Sequence, residues 1–226
     1  MATRQVLAQL CAAYEAAGGQ RVEIESVGGI EAAKRVASSE PFDLVLLGSD
    51  AIDKLIAAGH LIAGSRVDWV TSPISVAIQS GAPRVDISSS NSLKDSLLKA
   101  TNIGYSTGPS GVYLAQLFEK LGLAEAMKAK TIIPPSGVAV GSLLARGEVQ
   151  IGFQQRSELI NMEGIEMLGN LPDEIAYITT FSVGVPLTAQ AVSRNAATQF
   201  IEFLNSPQAG PIKLSQGMNP ITMQAN

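Results

Sequence analysis

The chain has 226 residues, 46% of them hydrophobic and 16% charged, with a net charge of −4. That supplies a real core for one large or two small domains and excludes a disordered chain. The acidic balance excludes a nucleic-acid partner, which needs a basic face, and the single cysteine, Cys11, excludes an internal disulfide and a Cys-built metal cage.

Residues 4–17 have helical spacing, with Val6, Leu7, Leu10, Cys11 and Tyr14 on one face and Gly18-Gly19 as the stop. Cys11 on that face reads as a small core hydrophobe. Residues 21–25 alternate like a strand, 30–38 form a helix ended before Pro41, and 42–47 are an apolar run of buried-strand type. A helix over 50–58 takes Asp50 as its N-cap, and His60, the only histidine, reads as a helix-ending residue after Gly59. This alternation predicts βαβ units. A strand over 74–78 and a helix over 92–100 opened by Ser92 follow. Then come a strand over 102–106, a helix over 114–121, a short helix over 124–129 and a short strand over 131–133. The remainder is a helix over 138–146, a buried strand over 150–155, a long extended segment over 175–185 and helices over 195–204 and 207–217. No apolar run reaches membrane-spanning length, so no membrane insertion is expected. Residues 1–5 do not form a signal peptide. No Gly/Ser linker is present, so two domains would be joined through strands, at 74–78 and 181–185.

Two segments share a form suited to an anion. Ser106-Thr107-Gly108-Pro109-Ser110-Gly111-Val112-Tyr113 runs from a strand into a helix, and Ser26-Val27-Gly28-Gly29-Ile30 does the same. A small glycine-bearing turn there leaves the first helical N–H groups unpaired, and the helix dipole adds partial positive charge. No metal-ligand cluster, nucleophile elbow, P-loop or dinucleotide fingerprint is present, and no cofactor is expected.

The order of these segments resembles the type II periplasmic solute-binding proteins, in their molybdate-binding-protein-like branch. The resemblance is carried by Pro41-Phe42-Asp43-Leu44-Val45-Leu46-Leu47-Gly48-Ser49-Asp50, by Gly64-Ser65-Arg66-Val67-Asp68 and by the glycine loop at 106–113. Leu144-Ala145-Arg146-Gly147-Glu148-Val149-Gln150-Ile151-Gly152 and Phe200-Ile201-Glu202-Phe203-Leu204-Asn205-Ser206-Pro207 complete it. It implies an α/β fold of two lobes, each a mostly parallel sheet flanked by helices, with a ligand cleft between them and closure by hinge motion. Lobe 1 would hold 1–75 and 186–226, and lobe 2 would hold 76–185. Members of the family begin with a strand before the first helix, and that strand is expected to be missing here.

The resemblance implies ligand contacts from Ala2, Thr3 and Arg4, from Val27, Gly28 and Gly29, and from Thr107, Ser110, Gly111 and Val112. Gln155 and Arg156 would contribute from the lining segment 154–157 at the end of the strand at 150–155, with 136–138 nearby, Ser136 and Gly137 among them. Each segment also reads as an ordinary turn or cap. Arg4 reads equally as a solvated residue, Arg156 as a surface ion pair with Glu158 or a neighbour, and Tyr105 and Tyr113 as core packing. The expected partners are a small anionic ligand and the membrane component of an ABC transporter, with the protein monomeric. Its compartment is periplasmic if a signal peptide has been removed and cytoplasmic otherwise. Molybdate binders of the branch present serines in the first loops and a tyrosine near Gln155; this chain departs at those positions. Arg4 and Arg156 instead match the planar fork that binds carboxylates. The residues therefore favour a binding protein for an organic polycarboxylate. Three alternatives stand beside it: an isomerase of aconitate-isomerase type on the same scaffold, a molybdate or tungstate binder, and a ligand-sensing module. Candidate bases for the isomerase are Tyr105, Tyr113, Glu158, or a serine or threonine acting with a shifted pKa.

Overall fold

The structure, a computed structural model, describes residues 2–135 and 137–221, with the side chains of Ala191 and Val192 apart. The chain divides into two compact units, 1–72 with 180–226 and 73–179; the sequence reading set the division at 75/76 and 185/186. The chain passes from one unit to the other through two strands, β2 (Val67–Gln79) and β7 (Ile178–Gly184). β2 is much longer than the 74–78 segment because its first half carries Asp68, Thr71 and Pro73, which hide it from a hydrophobic pattern.

Unit 1 opens with α1 (Arg4–Ala16), whose buried residues are the five that the spacing selects: Val6, Leu7, Leu10, Cys11 and Tyr14. They join Trp69, Phe181, Val183, Phe200, Leu204 and Met218 in one core cluster. Burial, reinforced by Glu15, pushes the Cys11 thiol up to about 11, so it is an inert packing group. Then come α2 (Gly29–Ala37), β1 (Val45–Gly48) and α3 (Ser49–Ala57). Gly59 at φ +75 ends α3, and the His60 N–H donates to Leu55 O at 2.9 Å, a Schellman closure that confirms the helix-ending reading. The N-cap of α3 is Gly48, not Asp50, which lies in the first turn. α9 (Ala191–Leu204), α10 (Ala209–Ser215) and β8 (Asn219–Pro220) complete the unit.

Unit 2 contains α4 (Ser90–Lys99), β3 (Ile103–Tyr105), α5 (Pro109–Lys120), α6 (Ala124–Lys128) and β4 (Thr131–Ile132). Next are α7 (Val140–Ala145), β5 (Ile151–Gln155), α8 (Arg156–Leu159) and β6 (Ile165–Asn170). The cap of α4 is Ser89, whose side chain accepts from the Ser92 N–H at 3.1 Å, so Ser92 is the capped residue rather than the cap. β6 escaped the sequence reading. Its residues are only half buried, and its pairing with β2 shifts register between Val76 and Ala77.

The fold class is the expected two-unit α/β arrangement, but the sheets are mixed rather than mostly parallel. In unit 1, β1 pairs antiparallel with β7, and β2 pairs antiparallel with β8. In unit 2, β3 is parallel to both β4 and β5, while β2 runs antiparallel to β5 and β6. The expected strand at 21–25 does not form. The Val22 N–H goes instead to Glu15 Oε1 at 3.0 Å.

Gly104 and Gly152 face each other across β3 and β5 and make a flat seat for α7. A Cβ on Gly152 would lie 2.6 Å from Leu144 Cδ1 and 2.9 Å from Val140 Cγ1, and both side chains are fully buried. Gly152→Ala should therefore cost about 1–3 kcal/mol by overpacking, read as a lowered urea midpoint. An unchanged midpoint would mean that α7 can lift off the sheet freely.

Candidate functional site

Strands β4, β3 and β5 are mutually parallel, so all three end at the same edge of unit 2. Ligands in α/β sheets gather at that edge, where strands hand over to helices. The register places Tyr105 opposite Phe153. Two residues further on are Thr107 in the glycine loop and Gln155 at the end of β5. The strand period of two puts Gln155 on the same face as Phe153. Phe153 packs in the core cluster that contains Leu114, Leu117 and Phe118 of α5, so Gln155 lies on the α5 face at the level where that helix begins. Gln154 points the other way and accepts from the Gly141 N–H of α7 at 3.1 Å.

The glycine loop is an open helix start. α5 begins at Pro109, earlier than expected, with Gly108 as N-cap and no side-chain cap. Proline at the first position gives up no needed N–H. Ser110 and Gly111 are buried in the first turn, while Thr107 is exposed. The Val112 N–H donates to Gly108 O at 3.1 Å, so the backbone donor of Val112 is committed to the helix. Gly111 has a structural duty, because a Cβ there would lie 1.6 Å from Ser106 O. Its lack of a side chain thus serves close approach of the helix to its own strand-end loop.

The end of β5 carries an unusual set of groups. Gln155 is 1% exposed and Ser157 5%. Gln155 Oε1, Arg156 Nε and Ser157 Oγ are all buried without a hydrogen-bond partner. As placed, Gln155 Nε2 donates to Thr179 Oγ1 at 2.6 Å. Arg156 is half-buried at the first position of α8, and no carboxylate pairs with it among the described residues, so the expected surface ion pair with Glu158 is not formed. Glu158 accepts from the Gln155 N–H and the Gln154 side chain, a reach back to the N-cap as in a capping box. Burial holds its carboxyl above the usual range. Buried polar groups are nearly always satisfied, so three unpaired atoms on consecutive residues mark a place prepared for something polar.

Both tyrosines beside the loop are packing residues. Tyr113 stacks on Tyr177 at 4.4 Å between centroids and donates its hydroxyl to Ile175 O at 3.0 Å. Tyr105 packs edge-on to Phe118 at 5.9 Å.

The remaining candidates fall elsewhere. Ser136 lies outside the described residues. Gly137 is exposed, with φ +86, in the segment before α7. In unit 1, Ala2 and buried Thr3 precede α1, and Thr3 is its N-cap without a side-chain bond. Val27 and Gly28 lead into α2, with Gly28 as its N-cap and Gly29 its first residue. Arg4 is exposed and, with Ala8, Ile24 and Ser26, lines a pocket of about 260 Å³. That pocket brings the start of α1 and the segment before α2 together. No group of three or more His, Cys, Asp or Glu side chains suited to a metal occurs among the described residues. No helix there is long and apolar enough to cross a membrane. Thr179 was missed as a polar candidate by sequence reasoning, since it neither lies in a glycine loop nor carries charge.

The family described as bacterial extracellular solute-binding protein matches residues 1–219. An aconitate isomerase of Pseudomonas sp is 36% identical over 222 residues, covering 96% of this chain and 84% of that protein. The molybdate-binding protein ModA of Azotobacter vinelandii is 26% identical over 188 residues, covering 81% of this chain and 73% of that protein. The solved periplasmic molybdate-binding protein of the same organism superposes with a TM-score of 0.78 at 19% identity, covering 98% of this chain and 96% of that one. The chain therefore belongs to the bacterial extracellular solute-binding proteins, in the group that includes molybdate-binding and aconitate-isomerase-like members.

Proposed function

We propose that the chain captures a small organic polycarboxylate of the aconitate class, using Arg156 with Gln155, Ser157, Thr107 and the start of α5. The observation that carries this reading is the unpaired, buried Nε of Arg156 beside two further unpaired polar atoms. A guanidinium stays charged at all ordinary pH, and leaving its buried N–H without an acceptor is costly, so an anion belongs there. Its planar fork suits a carboxylate. Gly108, Ser110 and Gly111 add backbone dipole at the same edge. Arg4 and the segment Val27, Gly28 and Gly29 are proposed as further contacts, and Ala2, Thr3, Val112, Ser136 and Gly137 as lining. The longer and closer match to an aconitate isomerase than to a molybdate binder favours an organic acid over a tetrahedral oxyanion. In the binding role the protein acts as a monomer, in the periplasm once a signal peptide has been removed, and hands its ligand to an ABC transporter.

The test is a titration with trans-aconitate, cis-aconitate, citrate, molybdate and tungstate, followed by calorimetry and thermal shift. Tricarboxylates should bind and raise the melting temperature, and binding of molybdate or tungstate alone would overturn the reading. Arg156→Ala should weaken tricarboxylate binding ten-fold or more, in line with about 1.5–3 kcal/mol for a charged hydrogen bond. Equal affinity would remove Arg156 from the site.

A second reading is favoured by the near full-length match to an isomerase. The same site would move a proton from the CH2 of the bound acid to its CH carbon, shifting the double bond and conserving all atoms. Glu158, whose carboxyl is held above the usual range by burial, lies in the turn beside Arg156 and is the proposed base. Proton NMR of cis-aconitate mixed with the protein separates the readings. Conversion to the trans isomer would establish turnover, and tight binding without conversion would leave a carrier.

A further inference from the structure

We infer that Gln154, which is turned away from the proposed cradle, is a positioning residue: its side-chain amide ties the start of α7 to the start of α8 and so holds Arg156 and the segment before α7 in place around the bound acid. The inference rests on the carboxylate reading above and deepens it.

Gln154 is 1% exposed. It lies on the face of β5 opposite Gln155, the face against which α7 packs. The two ends of its amide have different partners. Oε1 accepts the Gly141 N–H at 3.1 Å, and the NH2 group donates to the Glu158 carboxyl. A backbone N–H can only donate and a carboxylate can only accept, so both partners demand the same rotation of the amide.

Each of these bonds settles the start of a helix. α7 begins at Val140, and its N-cap, Ala139, makes no side-chain cap bond. The Gly141 N–H is one of the donors that a helix start leaves over, and Gln154 takes it up from another strand. In α8, Glu158 is the third residue and reaches back to the Gln155 N–H. The Gln154 NH2 group holds that same carboxyl. Arg156 and Ser157, which carry two of the unpaired buried atoms, lie between Gln155 and Glu158. Their turn is thus held at both ends, and Gln154 anchors the far one. Leu143 and Leu144 of α7 and Leu159 of α8 share a buried apolar cluster. Apolar packing is non-directional, so it brings the helices together without orienting their first turns. The amide supplies the direction. A binding constellation keeps its geometry only when such supporting bonds lock it, which is why a residue that does not touch the ligand controls its affinity.

The experiment exchanges the two polar ends of the contact. Gln154→Glu keeps an acceptor for the Gly141 N–H but sets carboxylate against carboxylate at Glu158. Gln154→Glu combined with Glu158→Gln restores every bond: the carboxylate at 154 accepts from Gly141 and from the amide at 158, whose carbonyl accepts the Gln155 N–H. Urea midpoints without ligand and calorimetric affinity for trans-aconitate are read for the wild type, both single variants and the exchange. Affinity rather than turnover is read, because the exchange moves the carboxyl that the isomerase reading uses as its base. Gln154→Glu should lower the midpoint and bind ten-fold or more weakly. The exchange should return the midpoint to that of the wild type and the affinity to within three-fold of it. Wild-type affinity in Gln154→Glu would overturn the inference. So would an exchange that recovers the midpoint without the affinity, or one that recovers neither. If Gln154→Glu does not fold, Gln154→Met, which breaks both bonds without adding charge, takes its place under the same affinity criterion. A folded wild type that binds no carboxylate would instead defeat the reading on which the inference rests, while the midpoints would still decide whether Gln154 and Glu158 form the bridge.

Discussion

Gly111→Ala should destabilise the protein by about 4 kcal/mol or more and lower its melting temperature by roughly 10 °C. The added Cβ would sit 1.6 Å from the carbonyl oxygen of Ser106 and 2.8 Å from its carbonyl carbon. Both are backbone atoms at the end of β3, so no side-chain rotation can relieve the clash. Either α5 must slide along its axis or the loop at 106–108 must re-form, and each moves Leu114, Leu117 and Phe118 in the core of unit 2. Gly108→Ala is the control. A Cβ there meets only Ser106 Oγ, at 3.6 Å, an ordinary contact, and its φ of −72° suits any residue. That variant should lose no more than about 1 kcal/mol, the usual loss when a favourable N-cap is replaced by alanine. Thermal unfolding of the two variants checks the contrast, and equal melting temperatures would show that the loop yields easily. The result also bears on ligand studies. Because Gly111 supports the fold, lost binding in a Gly111 variant says nothing about ligand approach, whereas Gly108→Ala tests the loop with the fold intact.

How far the sequence leads can be judged at these positions. The helices were legible because periodicity marks a buried face directly: the five core residues of α1 are those its spacing selects. The order of elements and the glycine loop were legible for the same local reason. Pairing partners were not. Whether 21–25 becomes a strand depends on a neighbour that no local pattern reveals, and β6 is held by pairing with Ser75–Gln79 of β2, a partner far away in the chain. At the candidate site, Arg156 and Gln155 could be selected by charge and position, but the significance of their neighbours could not. Ser157 and Thr179 are small hydroxyl residues of the commonest kind. Only their burial, and the absence of a partner for the Ser157 hydroxyl, set them apart. Tyr113 shows the converse: a hydroxyl beside a glycine loop looks functional until its bond to Ile175 O accounts for it.

Lys213→Met should stabilise the protein at neutral pH by about 2 kcal/mol, against the usual loss when a buried residue is replaced. Lys213 is 1% exposed on α10, and its Nζ donates to Trp69 O at 2.9 Å and lies 5.6 Å from the Trp69 ring centroid. No carboxylate pairs with it among the described residues. Burial therefore pushes its pKa down to about 8 from an ordinary 10.5. Between those values the unfolded chain holds a proton that the folded chain lacks, so stability from this group rises as pH rises from about 8 to 10.5. The whole rise is about 3 kcal/mol. Below pH 8 the folded state carries a buried ammonium, and the full penalty applies. Methionine fills similar space without the charge; it removes that penalty but leaves the Trp69 carbonyl unpaired, at a cost of about 1 kcal/mol or more. Urea unfolding of wild type and variant at pH 7 and pH 10 supplies the check. Other groups titrate in that range in both proteins, so the difference between the two curves is the quantity to read. The advantage of the variant should shrink or reverse by pH 10 as wild-type Lys213 becomes neutral in the folded state. Parallel curves at the two pH values would mean that Lys213 keeps its ordinary proton affinity, and that the carbonyl and ring of Trp69 suffice to hold a buried ammonium.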